Sequence, residues 1–219
     1  MWKKIYNSKT LNINSFLLIF RKITIMVLYR MDKNLYCIRH GLALHNVMFW
    51  LIGKKAYTEY RDTPLLDEGY NQANTLKNNW EEIKNIELVL VSPCIRTLQT
   101  STNIFDKVGT KTIALDCLVE YPFGGNDICN KRKDKSILES NFPWINFSNI
   151  SEKTNWPEKN ETVEDLEKRI QTLKDYIKTR PEKNIAIVSH SSYIGQMIDK
   201  KIGDEKNELK HCLPYLYKL

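Results

Sequence analysis

Residues 35–41 read LYCIRHG, a short apolar run that ends in two adjacent basic side chains and a glycine. This pattern is typical of a buried β-strand that presents polar groups at its carboxyl end. Arg39 offers a planar guanidinium that suits phosphate oxygens, and His40 offers a neutral nitrogen nucleophile near pH 7. Gly41 permits a sharp turn and a close approach of the backbone to a ligand. The tripeptide Arg39-His40-Gly41 alone is weak evidence for a functional site, so other segments must supply partners for His40.

The rest of the chain alternates between short apolar runs and helical periodicity. The predicted further strands are residues 86–91, 111–115 and 184–189, with 215–219 as a candidate last strand. The predicted helices are residues 67–80, 93–108 and 163–177. We interpret residues 42–66 as a long loop. The alternation predicts an α/β fold, a three-layer sandwich whose mostly parallel central sheet carries helices on both faces.

Ionisable side chains follow four different predicted strands. Arg39 and His40 follow the first strand, Arg96 follows the second, Glu120 follows the third and His190 follows the fourth. In parallel sheets the binding crevice lies beyond the carboxyl ends of the strands. The sequence therefore predicts one site at this edge of the sheet, to which all four segments contribute.

Length and composition limit the classes of protein that fit. With 219 residues and 42% hydrophobic content, the chain fits one domain with a sizeable core. The five scattered cysteines include no C-x-x-C pair, which favours a reduced, cytoplasmic setting. The cysteines and histidines show no zinc-type spacing, so we expect no metal and no other cofactor. The net charge of +7 is diffuse; it suits an anionic substrate and predicts no nucleic-acid binding.

Residues 1–31 differ in pattern from the rest of the chain and are predicted to be an N-terminal extension. Arg21 and Lys22 interrupt their apolar stretch, which argues against a membrane helix, and a signal-peptide pattern is missing. Met31 is a candidate start, with residues 1–30 either a translated upstream stretch or a loosely packed extension. The predicted domain covers residues 32–219 and includes a lid-like insertion at about 116–160. The basic cluster 131–133 is interpreted as a solvated surface, and the sequence does not indicate an oligomeric state.

The chain resembles the histidine phosphatase superfamily, the phosphoglycerate mutase-like proteins, over about residues 33–213. The matching motifs are Arg39-His40-Gly41, Asp62-Thr63-Pro64-Leu65 with Gly69 and Gln72, Ser92-Pro93 with Arg96 to Thr100, Leu118-x-Glu120 and Ser189-His190-Ser191. Two further stretches are similar to the plant and fungal phosphomutase-like subgroup. They are His45-Asn46 and Cys129-Asn130-Lys131-Arg132.

The resemblance implies a role for each matching residue. His40 would attack phosphorus and form a phosphohistidine, and Glu120 would protonate the leaving alcohol and then take a proton from water. Arg39, Arg96 and His190 would complete the catalytic set by holding the phosphoryl oxygens. The expected substrate-binding residues are Arg39, Asn46, Arg96, His190 and Ser191. A solvated loop carboxylate is the alternative for Glu120, and a turn-stabilising side chain is the alternative for Asn46.

The sequence favours a phosphomonoester hydrolase that acts on a small phosphorylated metabolite, with no nucleic-acid or membrane partner. One alternative is phosphoglycerate mutase-type phosphoryl transfer, and another is a non-catalytic binder of phosphorylated ligands. Leu42 stands where the sugar-phosphate mutases of the superfamily carry Glu or Gln directly after the glycine. This departure favours hydrolysis over mutase chemistry.

Overall fold

A computed structural model of the chain describes residues 32–122, 127–153, 161–203 and 206–219, so the predicted extension 1–31 lies outside the described residues. The strands of its sheet are β1 (Asn34–Arg39), β2 (Leu88–Val91), β3 (Thr112–Ala114), β4 (Asn184–Ser189) and β5 (Pro214–Lys218). Their order across the sheet is β3-β2-β4-β1-β5. The pairs among β1 to β4 are parallel, and β5 runs antiparallel to β1. The predicted mostly parallel sheet is confirmed.

The register between β1 and β4 brings two histidines together. In this parallel pair Arg39 lies opposite Ser189. The next residues along the two strands are His40 and His190, and their ring centroids are 5.3 Å apart. Adjacent parallel strands therefore place both imidazoles at the same edge of the sheet.

Seven α-helices surround the sheet in the described part of the chain. They are α1 (Leu44–Ile52), α2 (Lys55–Glu59), α3 (Asp67–Asn79), α4 (Ile95–Phe105), α5 (Lys135–Asn141), α6 (Val163–Lys178) and α7 (Ser191–Asp199). Four 3₁₀ turns cover Glu81–Asn85, Asp106–Val108, Asp116–Leu118 and Ile128–Asn130. Among these elements, α1 and α2 show that the loop interpretation of residues 42–66 was wrong. Because α1 carries exposed apolar side chains such as Trp50 and Leu51, its sequence lacks the polar face by which a helix is usually recognised.

The sheet has a hydrophobic core on each face. Successive side chains of a strand point to opposite faces, so Leu35 and Cys37 of β1 enter one core and Ile38 enters the other. The first core is completed by α6 and α7, with Leu166, Ile170, Leu173, Tyr193 and Ile194. The second core is completed by α3, α4 and α5, with Ala73, Leu76, Leu98, Ile104 and Leu138. This arrangement is the predicted three-layer sandwich.

The loop after β1 rests directly on the first turn of α3. A Cβ atom at Gly41 would lie 2.5 Å from the carbonyl oxygen of Gly69, and one at Gly69 would lie 2.3 Å from that of Leu42. Side chains at Thr100 and Gln72 accept hydrogen bonds from the N–H groups of Gly41 and Leu42, at 3.0 and 2.9 Å. Gly41 thus permits a close approach to α3, where the sequence had suggested an approach to a ligand. Side chains of α3 and α4 therefore hold the backbone directly after His40.

Arg132 shows that the basic cluster 131–133 is not simply a solvated surface. Its side chain is 1% exposed and donates to the Asp116 carboxylate at 2.7 and 3.1 Å and to the carbonyl oxygen of Ser151 at 2.8 Å. A Lys-Arg-Lys pattern does not reveal which side chain points inward, because that depends on the partner that folding brings near. Residues 123–126 and 154–160 of the predicted lid-like insertion lie outside the described residues.

We predict that Arg132→Leu lowers the free energy of unfolding by about 3 kcal/mol, because it leaves Asp116 without its partner in a mostly buried ion pair. Urea unfolding followed by tryptophan fluorescence measures the change. The matched control is Lys168→Leu, which removes an exposed ion pair to Asp165 on the surface of α6. The control should change stability by no more than about 0.5 kcal/mol. Equal losses in the two variants would contradict a structural role for Arg132.

Candidate active site

A cavity of about 370 Å³ opens at the carboxyl ends of the central strands. The predicted site residues that line it are Arg39, His40, Asn46, Arg96, Glu120 and Ser191. The remaining predicted residue, His190, lies directly behind the wall of the cavity, with its Nδ1 atom 3.1 Å from Arg96 Nη2. The folded chain therefore brings all seven predicted residues to one place.

His40 is buried, and its hydrogen bonds determine which ring nitrogen is free. Its Nδ1 atom lies 2.7 Å from the carbonyl oxygen of Gly41, which can only accept, so Nδ1 carries the proton. Its Nε2 atom accepts a hydrogen bond of 3.3 Å from Nε of Arg96 and keeps the lone pair. Burial, followed by the positive charge of Arg96, lowers the pKa of His40 well below its usual value of 6.5. The imidazole is thus neutral at pH 7, with Nε2 as the available nucleophile.

Arg96 lies in the first turn of α4 and connects both histidines to a neighbouring loop. Its guanidinium donates to the carbonyl oxygen of Cys129 at 2.8 Å and to Oδ1 of Asn130 at 2.7 Å. The same group reaches His40 and His190, so it is almost fully enclosed by hydrogen-bond acceptors. Asn130 was not among the predicted site residues, although it lies in the Cys129–Arg132 stretch that resembles the plant and fungal subgroup.

The ring of His190 is fixed in the opposite tautomer to that of His40. Because Arg96 donates to Nδ1, the proton of the neutral ring is on Nε2, which donates to Oγ of Ser92 at 2.8 Å. Burial and then Arg96 lower the pKa of His190 well below 6.5. Ser92 was missed as a site residue; its signal was the Ser92-Pro93 motif at the end of β2.

Arg39 is held by a segment near the end of the chain. Its Nη1 atom donates to the carbonyl oxygen of Leu209 at 2.6 Å, and its Nη2 atom forms an ion pair with Glu208. Its Nε atom has no hydrogen-bond partner among the described residues. Glu208 also lines the cavity, and its side chain is half exposed. A phosphate oxygen that reached the terminal nitrogens of Arg39 would compete with this carboxylate.

Glu120 is anchored at the first turn of α7. Its two oxygens accept hydrogen bonds from the backbone N–H groups of Tyr121, Tyr193 and Ser192, at 2.8, 2.9 and 3.1 Å. Burial raises the pKa of Glu120, and these hydrogen bonds lower it by a smaller amount. A carboxyl group held in this way does not fit the alternative of a freely solvated loop side chain.

Asn46 and Ser191 line the cavity but also have local structural partners. Oδ1 of Asn46 accepts a hydrogen bond of 3.0 Å from the N–H group of Ala43, at the start of α1. This bond matches the turn-stabilising alternative from the sequence. Oγ of Ser191 accepts a hydrogen bond of 2.9 Å from the N–H group of Leu209.

Two further histidines lie next to His40. Nδ1 of His211 donates to the carbonyl oxygen of His40 at 2.6 Å, and burial lowers the pKa of His211 to about 4. Nδ1 of His45 lies 2.6 Å from Oγ1 of Thr63, and its ring centroid is 5.8 Å from that of His40. The sequence marked His45 as part of a subgroup motif. No sequence signal marked His211, because only the pairing of β5 with β1 brings its segment beside the site.

The described residues contain no group of three or more His, Cys, Asp or Glu side chains that could hold a metal ion. None of the helices in the described ranges combines the length and hydrophobicity of a membrane span. What the cavity offers is a neutral imidazole nitrogen, a buried guanidinium beside it and an anchored carboxyl group. This set is suited to transfer of a phosphoryl group to and from a histidine.

Comparison with known proteins gives a consistent result. Residues 35–213 match the family model of the histidine phosphatase superfamily (branch 1). A phosphoglycerate mutase-like protein of Arabidopsis thaliana is 29% identical over 215 residues, covering 81% of this chain and 78% of the relative. A probable phosphatase of Schizosaccharomyces pombe is 30% identical over 165 residues, covering 73% and 74%. The structure of a phosphoserine phosphatase from Entamoeba histolytica aligns with a TM-score of 0.52 at 20% identity, covering 84% and 94%.

These matches concern both predicted resemblances, the one to the superfamily and the one to the plant and fungal subgroup. The family model spans most of the chain and includes His40, Arg96, Glu120 and His190. The plant and fission yeast relatives agree with the resemblance to the plant and fungal subgroup. The structural neighbour shares the fold that positions the cavity. The chain therefore belongs to the histidine phosphatase superfamily, branch 1, and is a phosphatase of the histidine type.

Proposed function

We propose that this chain hydrolyses a small phosphomonoester through a phosphohistidine formed on Nε2 of His40. The observation that carries the proposal is the tautomer of His40. The Gly41 carbonyl oxygen fixes the proton on Nδ1, so the unprotonated Nε2 faces Nε of Arg96. A phosphoryl group that met this nitrogen would also meet the N–H groups of a buried guanidinium.

The reaction has two displacements. In the first, Nε2 of His40 forms a bond to phosphorus while the bond from phosphorus to the ester oxygen breaks, and Glu120 gives its proton to that oxygen. In the second, a water oxygen attacks the phosphorus, the bond to His40 breaks, and Glu120 takes the water's proton. Inorganic phosphate leaves, and both residues return to their starting states.

Each of the other site residues has a proposed task. Arg96 holds the phosphoryl oxygens, and its hydrogen bond of 3.1 Å to Nδ1 of His190 keeps it in position before substrate arrives. His190 itself reaches a phosphoryl oxygen only if its ring releases Arg96 or Ser92, because both of its nitrogens are engaged behind the cavity wall. Arg39 contributes its guanidinium when the substrate phosphate displaces the carboxylate of Glu208. Asn46 and Ser191, which line the cavity, contact the substrate beyond its phosphate.

The lining of the cavity supports hydrolysis over mutase chemistry. A mutase must retain a bisphosphorylated intermediate, which needs several cationic contacts. Here the carboxyl groups of Glu120, Asp127 and Glu208 offset the positive charges of Arg39, Lys54 and Arg96 in the lining. Leu42 adds an apolar surface. This environment disfavours a highly anionic intermediate, so water is the acceptor that fits best.

We predict that a brief reaction with ³²P-labelled substrate, stopped in alkali, traps a phosphoenzyme that is lost on treatment with acid. Peptide mapping should place the label on the peptide that contains His40. His40→Ala should bind no label, because the other histidine that presents an unprotonated nitrogen to Arg96, His190, lies behind the wall of the cavity. Acid-stable label, or label on His40→Ala, would contradict this mechanism. Interconversion of 2- and 3-phosphoglycerate without phosphate release would instead support the mutase alternative.

A second prediction concerns the proton that Glu120 supplies. Glu120→Gln should slow hydrolysis of an alkyl phosphate about a hundredfold or more, because an alkoxide is a poor leaving group. Hydrolysis of p-nitrophenyl phosphate should fall much less, because nitrophenolate leaves without a proton. The matched control is Glu139→Gln, an exposed position on α5 that should leave both rates unchanged. Equal losses on both esters would show that Glu120 is not the general acid.

The pH dependence of the alkyl ester reaction gives a third prediction for this site. Because burial raises the pKa of Glu120, its protonated form persists to a higher pH than that of an ordinary glutamate. The rate with alkyl phosphate should therefore be retained below this pKa and fall as pH rises through it. Glu120→Gln should remove this alkaline decline in kcat. If the alkaline decline in kcat is unchanged in Glu120→Gln, the decline is caused by another titrating group.

A further inference from the structure

A row of aromatic rings leads from the nucleophile to the mouth of the cavity. The ring centroids of His40 and His45 are 5.8 Å apart, and those of His45 and Tyr57 are 6.0 Å apart. Tyr57 stacks on Phe49 with centroids at 5.3 Å and planes at 16°, and Phe49 contacts Trp50 at 6.2 Å. Two short helices, α1 and α2, supply all of these rings beyond His40. The rings form one continuous wall.

The outer part of this wall is apolar and open to solvent. Phe49, Trp50 and Tyr57 line the cavity, and Leu42 lines it closer to His40. Trp50 is 79% exposed, although most large apolar side chains in the described part of the chain are buried. Burial raises the pKa of Tyr57 to about 12, so its hydroxyl is neutral at pH 7 and adds no charge to the wall. An exposed apolar surface that continues into a catalytic cavity is typical of a binding site.

The charges around the cavity disfavour a second anionic group on the substrate. Outside the groups assigned to the phosphate and to proton transfer, the charged side chains of the described residues that line it are Lys54, Asp127 and Glu208. Two of these three are carboxyl groups, and Glu208 pairs with Arg39. A carboxylate on the leaving alcohol would meet these charges and an apolar wall, with the exposed Lys54 as its one favourable partner among these residues.

We propose that the wall formed by Phe49, Trp50 and Tyr57 binds an apolar or aromatic leaving group, so that the enzyme selects phosphomonoesters of hydrophobic alcohols. The inference rests on the proposed phosphatase function and names its substrate class. Contact with the wall removes apolar surface of the substrate from water, and each buried methylene group should raise kcat/KM about threefold to fourfold. Aromatic groups gain further from stacking on Phe49 or Trp50.

The test compares three esters of primary alcohols: ethyl phosphate, hexyl phosphate and a hexyl phosphate that ends in a carboxylate. Their leaving oxygens have similar chemistry, so differences report contacts beyond the phosphate. We expect kcat/KM for hexyl phosphate to exceed that for ethyl phosphate by about tenfold or more. The carboxylate ester should fall below hexyl phosphate. Equal values for hexyl and ethyl phosphate, or a preference for the carboxylate through Lys54, would overturn the proposal.

Substitutions in the aromatic wall test whether its residues cause the preference for hexyl over ethyl phosphate. Phe49→Ala should reduce the ratio of kcat/KM for hexyl over ethyl phosphate about fivefold, because Phe49 is the central ring of the outer row. Trp50→Ala should reduce it in the same direction, and its exposure makes a folding defect an inadequate explanation. The matched control is Trp144→Ala, an exposed tryptophan in a different groove, beside Thr102, which should leave the ratio unchanged.

The outcomes separate this inference from the phosphatase proposal. Release of phosphate from none of the three esters would overturn the phosphatase proposal and this inference with it. Hydrolysis of all three at similar kcat/KM would leave the phosphatase proposal intact and overturn only the apolar wall. A ratio that is unchanged in both Phe49→Ala and Trp50→Ala would likewise overturn the assignment of these residues.

Discussion

The site depends on one buried guanidinium. Arg96 is 1% exposed, and no carboxylate in the described ranges pairs with it, so neutral acceptors must satisfy its N–H groups. Those acceptors are ring nitrogens of His40 and His190 together with the 129–130 loop. By donating to each ring, Arg96 fixes both tautomers. Burial, together with the charge of Arg96, keeps both imidazoles neutral. A cation without an anionic partner also leaves this end of the cavity suited to a phosphate.

The motif residues around this centre act largely as a scaffold. Gln99 accepts from the N–H group of Leu65, as Gln72 and Thr100 do for the loop after β1. Asp62 accepts from the N–H groups of Ile95 and Lys133, and its backbone adopts a positive φ of 45°. Burial raises the pKa of Asp62 to about 6 despite these hydrogen bonds. Much of the family signature therefore positions the backbone, and fewer of its side chains line the cavity.

The strand ends and the surrounding segments contribute different parts of the cavity. The parallel strands β1, β2 and β4 set the positions of His40, Arg96 and His190, since the ends of these strands are fixed by the sheet register. Helices α1 and α2 and the segment around residues 206–211 form the rest of the lining, including the aromatic wall, Glu208 and His211. The lining can thus change in these segments without disturbing His40, and such a division is the usual arrangement in α/β enzymes.

The sequence by itself determined the α/β alternation, the parallel sheet and the positions of Arg39, His40, Arg96, Glu120 and His190, because strand ends can be read from local hydrophobicity. Only the tertiary structure decided what these residues contact. The ion pair of Arg39 with Glu208, the burial of Arg132 and the place of His211 all join residues far apart in the chain. Helix α1 was missed because its apolar side chains include exposed ones that line the cavity. Local patterns report burial and periodicity, whereas long-range contacts depend on how the whole chain packs.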